Sequence, residues 1–157
     1  MIDKIRTGRY ERIYVQLREL IEGKSPSLVA AMSTICAVLH HKMSHHFWTG
    51  FYFVSEAGEN ELHIGPYQGP VACQVLKDRG VCLHCVQTKQ PVVVPDVEQF
   101  SGHIACDARS KSEIVMPVNK GDQVIAVLDV DSDKLAQFDE DDIAPLAKIL
   151  SLLEPYL

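Results

Sequence analysis

The sequence contains no apolar run approaching the roughly 20 residues that a membrane-spanning helix needs. Its opening residues, Met1-Ile2-Asp3-Lys4, do not lead into the apolar centre of a secretory signal. A basic block is also missing: 15 Lys and Arg stand against 21 Asp and Glu, a formal net charge of −6. That balance argues against a nucleic-acid surface and for a small-molecule or protein partner. Repeats, linkers and low-complexity segments are absent, so the 157 residues are expected to form one domain spanning 1–157. Neither membrane nor nucleic acid is expected as a partner, and the expected location is the cytoplasm.

What is present begins with an ordinary globular composition, 46% hydrophobic and 23% charged, enough apolar material for a substantial core. The unusual feature is cysteine. Of the five cysteines, Cys73, Cys82, Cys85 and Cys106 lie close together in the chain and Cys36 stands apart. Without an export signal, such clustering points to metal binding or redox chemistry rather than to a disulfide framework. Cys106 sits in the polar stretch Gly102–Glu113 beside His103, Asp107, Arg109 and Lys111. Nearby cations favour the thiolate, the reactive form, while a plain buried thiol at a loop end is the competing reading.

Apolar spacing predicts a helix over Arg9–Ile21 ended by Gly23, and a second from Ser25-Pro26 to about Met43. Cys36 falls beside the apolar face of the second helix and reads as packing. His40, His41, His45 and His46 follow at its end and read as a solvated terminus, with no third metal ligand near His41 and His45. Strands are expected at Phe47–Val54, Glu61–Gly65, Val71–Leu76 (carrying Cys73), Pro91–Val97, Glu113–Val118 and Gln123–Val130. A short helix is expected at Val81–Thr88, carrying Cys82 and Cys85, and a closing helix from Phe138 with acids at its start. This order predicts an α+β fold, one antiparallel sheet with N- and C-terminal helices packed on it.

Strand alternation puts Trp48 and Tyr52 on one face, and Asp129 and Asp131 on one face with Leu128 and Val130 turned to the core. Two acids side by side repel unless a cation lies between them. A three-residue loop, Lys120-Gly121-Asp122, places Glu113 opposite Asp129 on the same face, whereas a two-residue Lys120-Gly121 loop sends it to the other.

Gly102-His103-Ile104-Ala105-Cys106-Asp107, Ser112-Glu113-Ile114-Val115 and Val127-Leu128-Asp129-Val130-Asp131-Ser132 resemble the free methionine-(R)-sulfoxide reductases, which are single GAF-domain enzymes. Trp48-Thr49-Gly50-Phe51-Tyr52, Gly65-Pro66-Tyr67-Gln68-Gly69 and Arg79-Gly80-Val81-Cys82 match in the same order. The resemblance implies a GAF-like fold and an oxidoreductase that reduces free L-methionine-(R)-sulfoxide to methionine. It assigns Cys106 as nucleophile, Cys73 as resolving cysteine and Cys82 as a further cysteine for disulfide relay. Trp48 and Tyr52 would line the methyl-sulfoxide end of the substrate, and Glu113, Asp129 and Asp131 would share the pocket. It implies no bound metal or cofactor, a homodimer, and a thioredoxin-like reductant drawing on NADPH indirectly.

Two departures stand out. The segment from Cys73 to Cys82 is one residue shorter than usual in the family, and Cys82 is followed by Leu83-His84-Cys85 where small residues are customary. Cys82 or Cys85 therefore remains an alternative to Cys73 for resolving Cys106. Two other functions remain open: a non-catalytic GAF module that binds a small molecule, and a zinc site built from Cys73, Cys82, Cys85 and either Cys106 or His103.

Overall fold

The computed structural model describes residues 4–103 and 107–157, apart from the side chain of Glu59. Its centre is a six-stranded antiparallel sheet of β1 (Trp48–Ser55), β2 (Gly58–Gln68), β3 (Val75–Lys77), β4 (Val92–Val94), β5 (Ser112–Lys120) and β6 (Gln123–Ser132), in the order β3-β2-β1-β6-β5-β4. Helices α1 (Lys4–Ile21), α2 (Leu28–Lys42) and α4 (Ile143–Leu150) belong with one face, and α3 (Val81–Thr88) with the other. The expected α+β arrangement is present.

Strand alternation splits the core in two. Phe51, Ile114, Met116, Leu128 and Val130 point to the helix side, where they meet Tyr10, Ile13, Leu17 and Ile21 of α1 and Met32, Ile35 and Leu39 of α2. Trp48, Tyr52, Val115 and Val127 point the other way, against Val81, Cys82, Leu83 and Val86 of α3. Cys36 is buried in the first core as expected.

Several boundaries differ from the sequence reading. Helix α1 begins at Lys4 rather than Arg9, because Arg6 anchors its first turn to the Gln137 carbonyl (2.9 Å) and to Asp142 (3.5 Å). Helix α2 is capped by Ser27, not Ser25: the Ser27 hydroxyl accepts from the Ala30 N–H at 3.1 Å. Strand β2 is longer than Glu61–Gly65 because it pairs along most of β1. Cys73 is not on a strand, since pairing with β2 begins only at Val75. Strand β4 stops at Val94, and Asp96 then caps a 3-10 turn at Val97–Gln99. The acids near 140 do more than complement a helix dipole. Asp139 and Asp142 form a reciprocal capping box, and buried Asp142 also accepts from the Tyr10 hydroxyl at 2.7 Å, tying the two ends of the chain together.

The histidines after α2 are not a solvated terminus. His46 is buried, and its ring and that of His45 both lie against Phe138 at 5.8 and 5.4 Å. Burial lowers both of their pKa values, that of His45 to about 4.

Candidate active site

The hairpin of β5 and β6 decides which acids meet. The turn is two residues, Gly121-Asp122, with Gly121 at φ +62°, not the three-residue loop expected. Alone, that turn would pair Glu113 with Val130 and bury it in the helix-side core. An irregularity between Val118 and Asn119 leaves Ile125 as an extra residue on β6 and restores the face. Glu113 therefore pairs with Asp131 rather than Asp129, while Val115 pairs with Asp129. The expected outcome holds by another route: Glu113, Asp129 and Asp131 share one face. Register with β1 completes the set by placing Trp48 opposite Asp131 and Gly50 opposite Asp129.

Glu113, Asp129, Asp131 and Trp48, with Tyr52 and Cys82, line one pocket. Gly50 makes it possible. A Cβ at Gly50 would run into the Trp48 ring and come within 2.5 Å of the Tyr67 Cβ. Without one, the indole lies across the strand and stacks on Tyr67 at 5.3 Å and on Tyr52 at 5.9 Å.

The polar tips of the aromatic wall fix the segment that covers it. The Trp48 Nε1–H donates to the Pro70 carbonyl (3.0 Å), and the Tyr52 hydroxyl donates to the Cys73 carbonyl (2.8 Å). The Ile64 N–H donates to the Gln74 carbonyl at 3.0 Å. Cys73 is thus positioned by the wall itself, a role that sequence spacing did not indicate. Cys73 is disulfide-bonded, whereas Cys36, Cys82 and Cys85 carry free thiols.

Cys82, in the first turn of α3, reaches the pocket floor. Its Sγ, an oxygen of Glu113 and an oxygen of Asp129 lie within 4.8 Å of one another. Burial first, and the neighbouring carboxylates second, raise the Cys82 pKa well above a normal thiol, so it stays protonated and donates to Asp129. Cys85 turns to the Val115 carbonyl at 3.9 Å, and burial pushes its pKa up to about 12. The zinc arrangement with Cys73, Cys82 and Cys85 together is therefore overturned: Cys73 is in a disulfide and Cys85 lies outside the cluster around Cys82.

The acids titrate as one set. Burial and then the charges of Asp129 and Asp131 push Glu113 well up, so Glu113 keeps its proton and donates it to Asp129. Burial also raises Asp131, which accepts from Ser110. Asp129 is raised too, but the two donated hydrogen bonds counter the effect of burial and leave it the best placed to be the ion. Its Oδ1 is buried with no hydrogen-bond partner. An orphaned carboxylate oxygen in a pocket is an acceptor that suits a cationic donor.

The mouth is built from the other side. His103 Nε2 lies 3.8 Å from Glu113 Oε2, too far for a hydrogen bond, and burial lowers its pKa. Arg109 forks onto Asp107 (3.0 and 2.8 Å) and lies over the Phe47 ring at 4.8 Å, holding Asp107 down to about 2. Cys106, between His103 and Asp107, lies outside the described residues. Among the predicted residues, the structure brings together Trp48, Tyr52, Cys82, Glu113, Asp129 and Asp131 and sets Cys73 above them. Sequence reasoning gave no role to Gly50, Ser110 or the Arg109–Phe47 contact, which depend on neighbours remote in the chain.

Comparison with known proteins agrees with this architecture. The GAF domain family model matches residues 25–154. GAF domain-containing protein A of Dictyostelium discoideum is 46% identical over 147 residues, covering 93% of this chain and 90% of that protein. The free methionine-R-sulfoxide reductase of Escherichia coli is 35% identical over 153 residues, covering 97% and 90%. The crystal structure of free methionine-R-sulfoxide reductase from Neisseria meningitidis, in complex with its substrate, superposes with a TM-score of 0.89 at 37% identity, covering 99% of this chain and 91% of that one. With its sheet, its aromatic wall and its buried acids in this arrangement, the chain belongs to the free methionine-R-sulfoxide reductase family of GAF-domain proteins.

Proposed function

We propose that the protein reduces free L-methionine-(R)-sulfoxide to L-methionine, with residues 1–157 acting as one catalytic unit. The observation that carries this reading is the floor of the pocket: two buried carboxyl groups, Glu113 and Asp129, the latter with an unpartnered oxygen, beneath an aromatic wall. Asp129, helped by Asp131, binds the substrate ammonium. The rings of Trp48 and Tyr52 take the soft S-methyl group. Glu113 holds the proton that the sulfoxide oxygen needs, as expected where burial pushes one acid of a pair upward.

The Cys106 thiolate attacks the sulfoxide sulfur as the oxygen is protonated. Oxygen passes to Cys106, giving Cys106–SOH and methionine. The Cys73 thiol then condenses with the sulfenic acid, forming a Cys73–Cys106 disulfide and releasing water. A thioredoxin-like dithiol returns both cysteines to thiols and is itself oxidised, with NADPH as the remote electron source. Two observations support these roles. Cys73 is the pocket-side cysteine found in a disulfide, and Cys82, protonated and hydrogen-bonded to Asp129, is poorly suited to attack. No bound cofactor is required. The dithiol supply assigns the reaction to a reducing compartment, the cytoplasm. No helix among the described residues is long and apolar enough to cross a membrane.

The reaction is tested by NADPH consumption with thioredoxin and its reductase, comparing the R and S sulfoxides of free methionine. Turnover confined to the R isomer and lost in Cys106→Ser is expected. A pocket that binds the sulfoxide without turnover would favour a non-catalytic GAF module.

A further inference from the structure

We propose that the pocket floor is also a binding site for a divalent zinc ion, held by Cys82 Sγ, Glu113 and Asp129 with His103 Nε2 as fourth donor, and that the ion excludes the amino-acid substrate. The donor geometry is the first ground. One thiol sulfur and two carboxylate oxygens, all on buried residues, lie within 4.8 Å of one another. In a closed tetrahedral zinc site, bonds of about 2.0–2.3 Å put donors roughly 3.2–3.8 Å apart. His103 Nε2 lies outside that set, 3.8 Å from Glu113 Oε2, so it has to swing inward to complete the tetrahedron.

The second ground is independent of the cluster. Asp129 Oδ1 is buried in the pocket with no hydrogen-bond partner. That oxygen calls for a cation or a donor whether or not substrate is present. Among the described residues, the one basic group that meets these carboxylates is His103, whose Nε2 stands 3.8 Å from Glu113 and is half-buried at the pocket mouth.

Donor type selects the ion. A thiolate and an imidazole beside two carboxylates suit a borderline metal such as zinc, and Mg²⁺ or Ca²⁺ much less. Zinc entry displaces the Cys82 thiol proton and the Glu113 proton to solvent, so binding weakens as pH falls. An ion at Asp129 occupies the place proposed for the substrate ammonium. The exclusion of substrate rests on the reductase reading; the metal site does not.

Cobalt(II) tests the site without turnover, because a cobalt–thiolate bond gives a charge-transfer band in the near ultraviolet. Titration of the reduced full-length protein should give that band at one equivalent, with Zn²⁺ displacing it. Cys82→Ser should abolish it, and Glu113→Gln or Asp129→Asn should weaken cobalt binding about 10-fold or more. The band should persist in Cys85→Ser and in Cys106→Ser. Absence of the band in the wild-type protein, its survival in Cys82→Ser, or its loss in Cys106→Ser overturns the assignment. In the coupled assay, zinc should raise KM for the sulfoxide and leave kcat unchanged. If zinc lowers kcat at saturating sulfoxide while cobalt still reports Cys82, the metal site stands and the substrate placement fails.

Discussion

Glu113 is the residue on which stability and chemistry pull in opposite directions. Its folded-state pKa is raised, chiefly by burial and then by Asp129 and Asp131. A raised acid contributes stability below its unfolded pKa and loses it as pH rises through the folded value. At neutral pH the protein therefore takes up a proton at Glu113 on folding, at a cost in stability. Glu113→Gln removes that cost and the transferable proton together. The variant should melt higher than wild type at pH 8, with the difference shrinking at pH 5, while kcat/KM falls about 100-fold or more. Paired thermal melts at the two pH values and one coupled assay check both halves. The alternation at Trp48, Tyr52, Asp129 and Asp131 was legible in the sequence because a strand has period two. Gly50 was not: its Cβ-free surface matters because the Trp48 ring and Tyr67, the latter from another strand, pack where a side chain would be.

At the scale of elements, the pocket depends on two connections that local rules do not specify. One is the β5–β6 hairpin, where turn chemistry predicted a three-residue loop and the chain instead uses Gly121-Asp122 and an extra residue, Ile125. Burial of Ile114, Leu128 and Val130 on the far face selects the register, and the turn accommodates it. The other is the segment before β3, where a strand is expected over Val71–Leu76 but Pro70 and Cys73 are held by side-chain tips instead. Tyr52→Phe keeps the wall and removes the hydroxyl bond to the Cys73 carbonyl. It should lower stability by about 1 kcal/mol. It should also slow formation of the Cys73 disulfide after one turnover while leaving the first methionine release unchanged. Rapid quench with peptide mapping separates the two steps; an equal slowing of both would show that Tyr52 acts on the substrate instead.

At the scale of the whole molecule, the helix layer carries its own acid sensitivity. His46 is buried and His45 half-buried against Phe138, with pKa values lowered by burial first and by neighbouring positive charge second. An unfolded histidine takes up a proton near pH 6.5, which the folded one resists, so stability is complete above that pH and falls from 6.5 towards about 4 for His45. His45→Phe should flatten this acid limb, measured as the change in urea midpoint between pH 7 and pH 5. The same layer leaves Ile5, Val15 and Leu20 of α1 and Val29 of α2 exposed. We propose that they pack against a second copy, so Leu20→Glu should shift a dimer to monomer in light scattering. The most direct test of the central claim needs no reductant. Reduced protein mixed with excess free methionine-(R)-sulfoxide should release one equivalent of methionine per chain and stop, with Cys73 and Cys106 joined. The S isomer and the N-acetylated sulfoxide should release almost none. No methionine from the R isomer, or equal release from all three, would contradict the ammonium-binding, Cys106-dependent reductase described above.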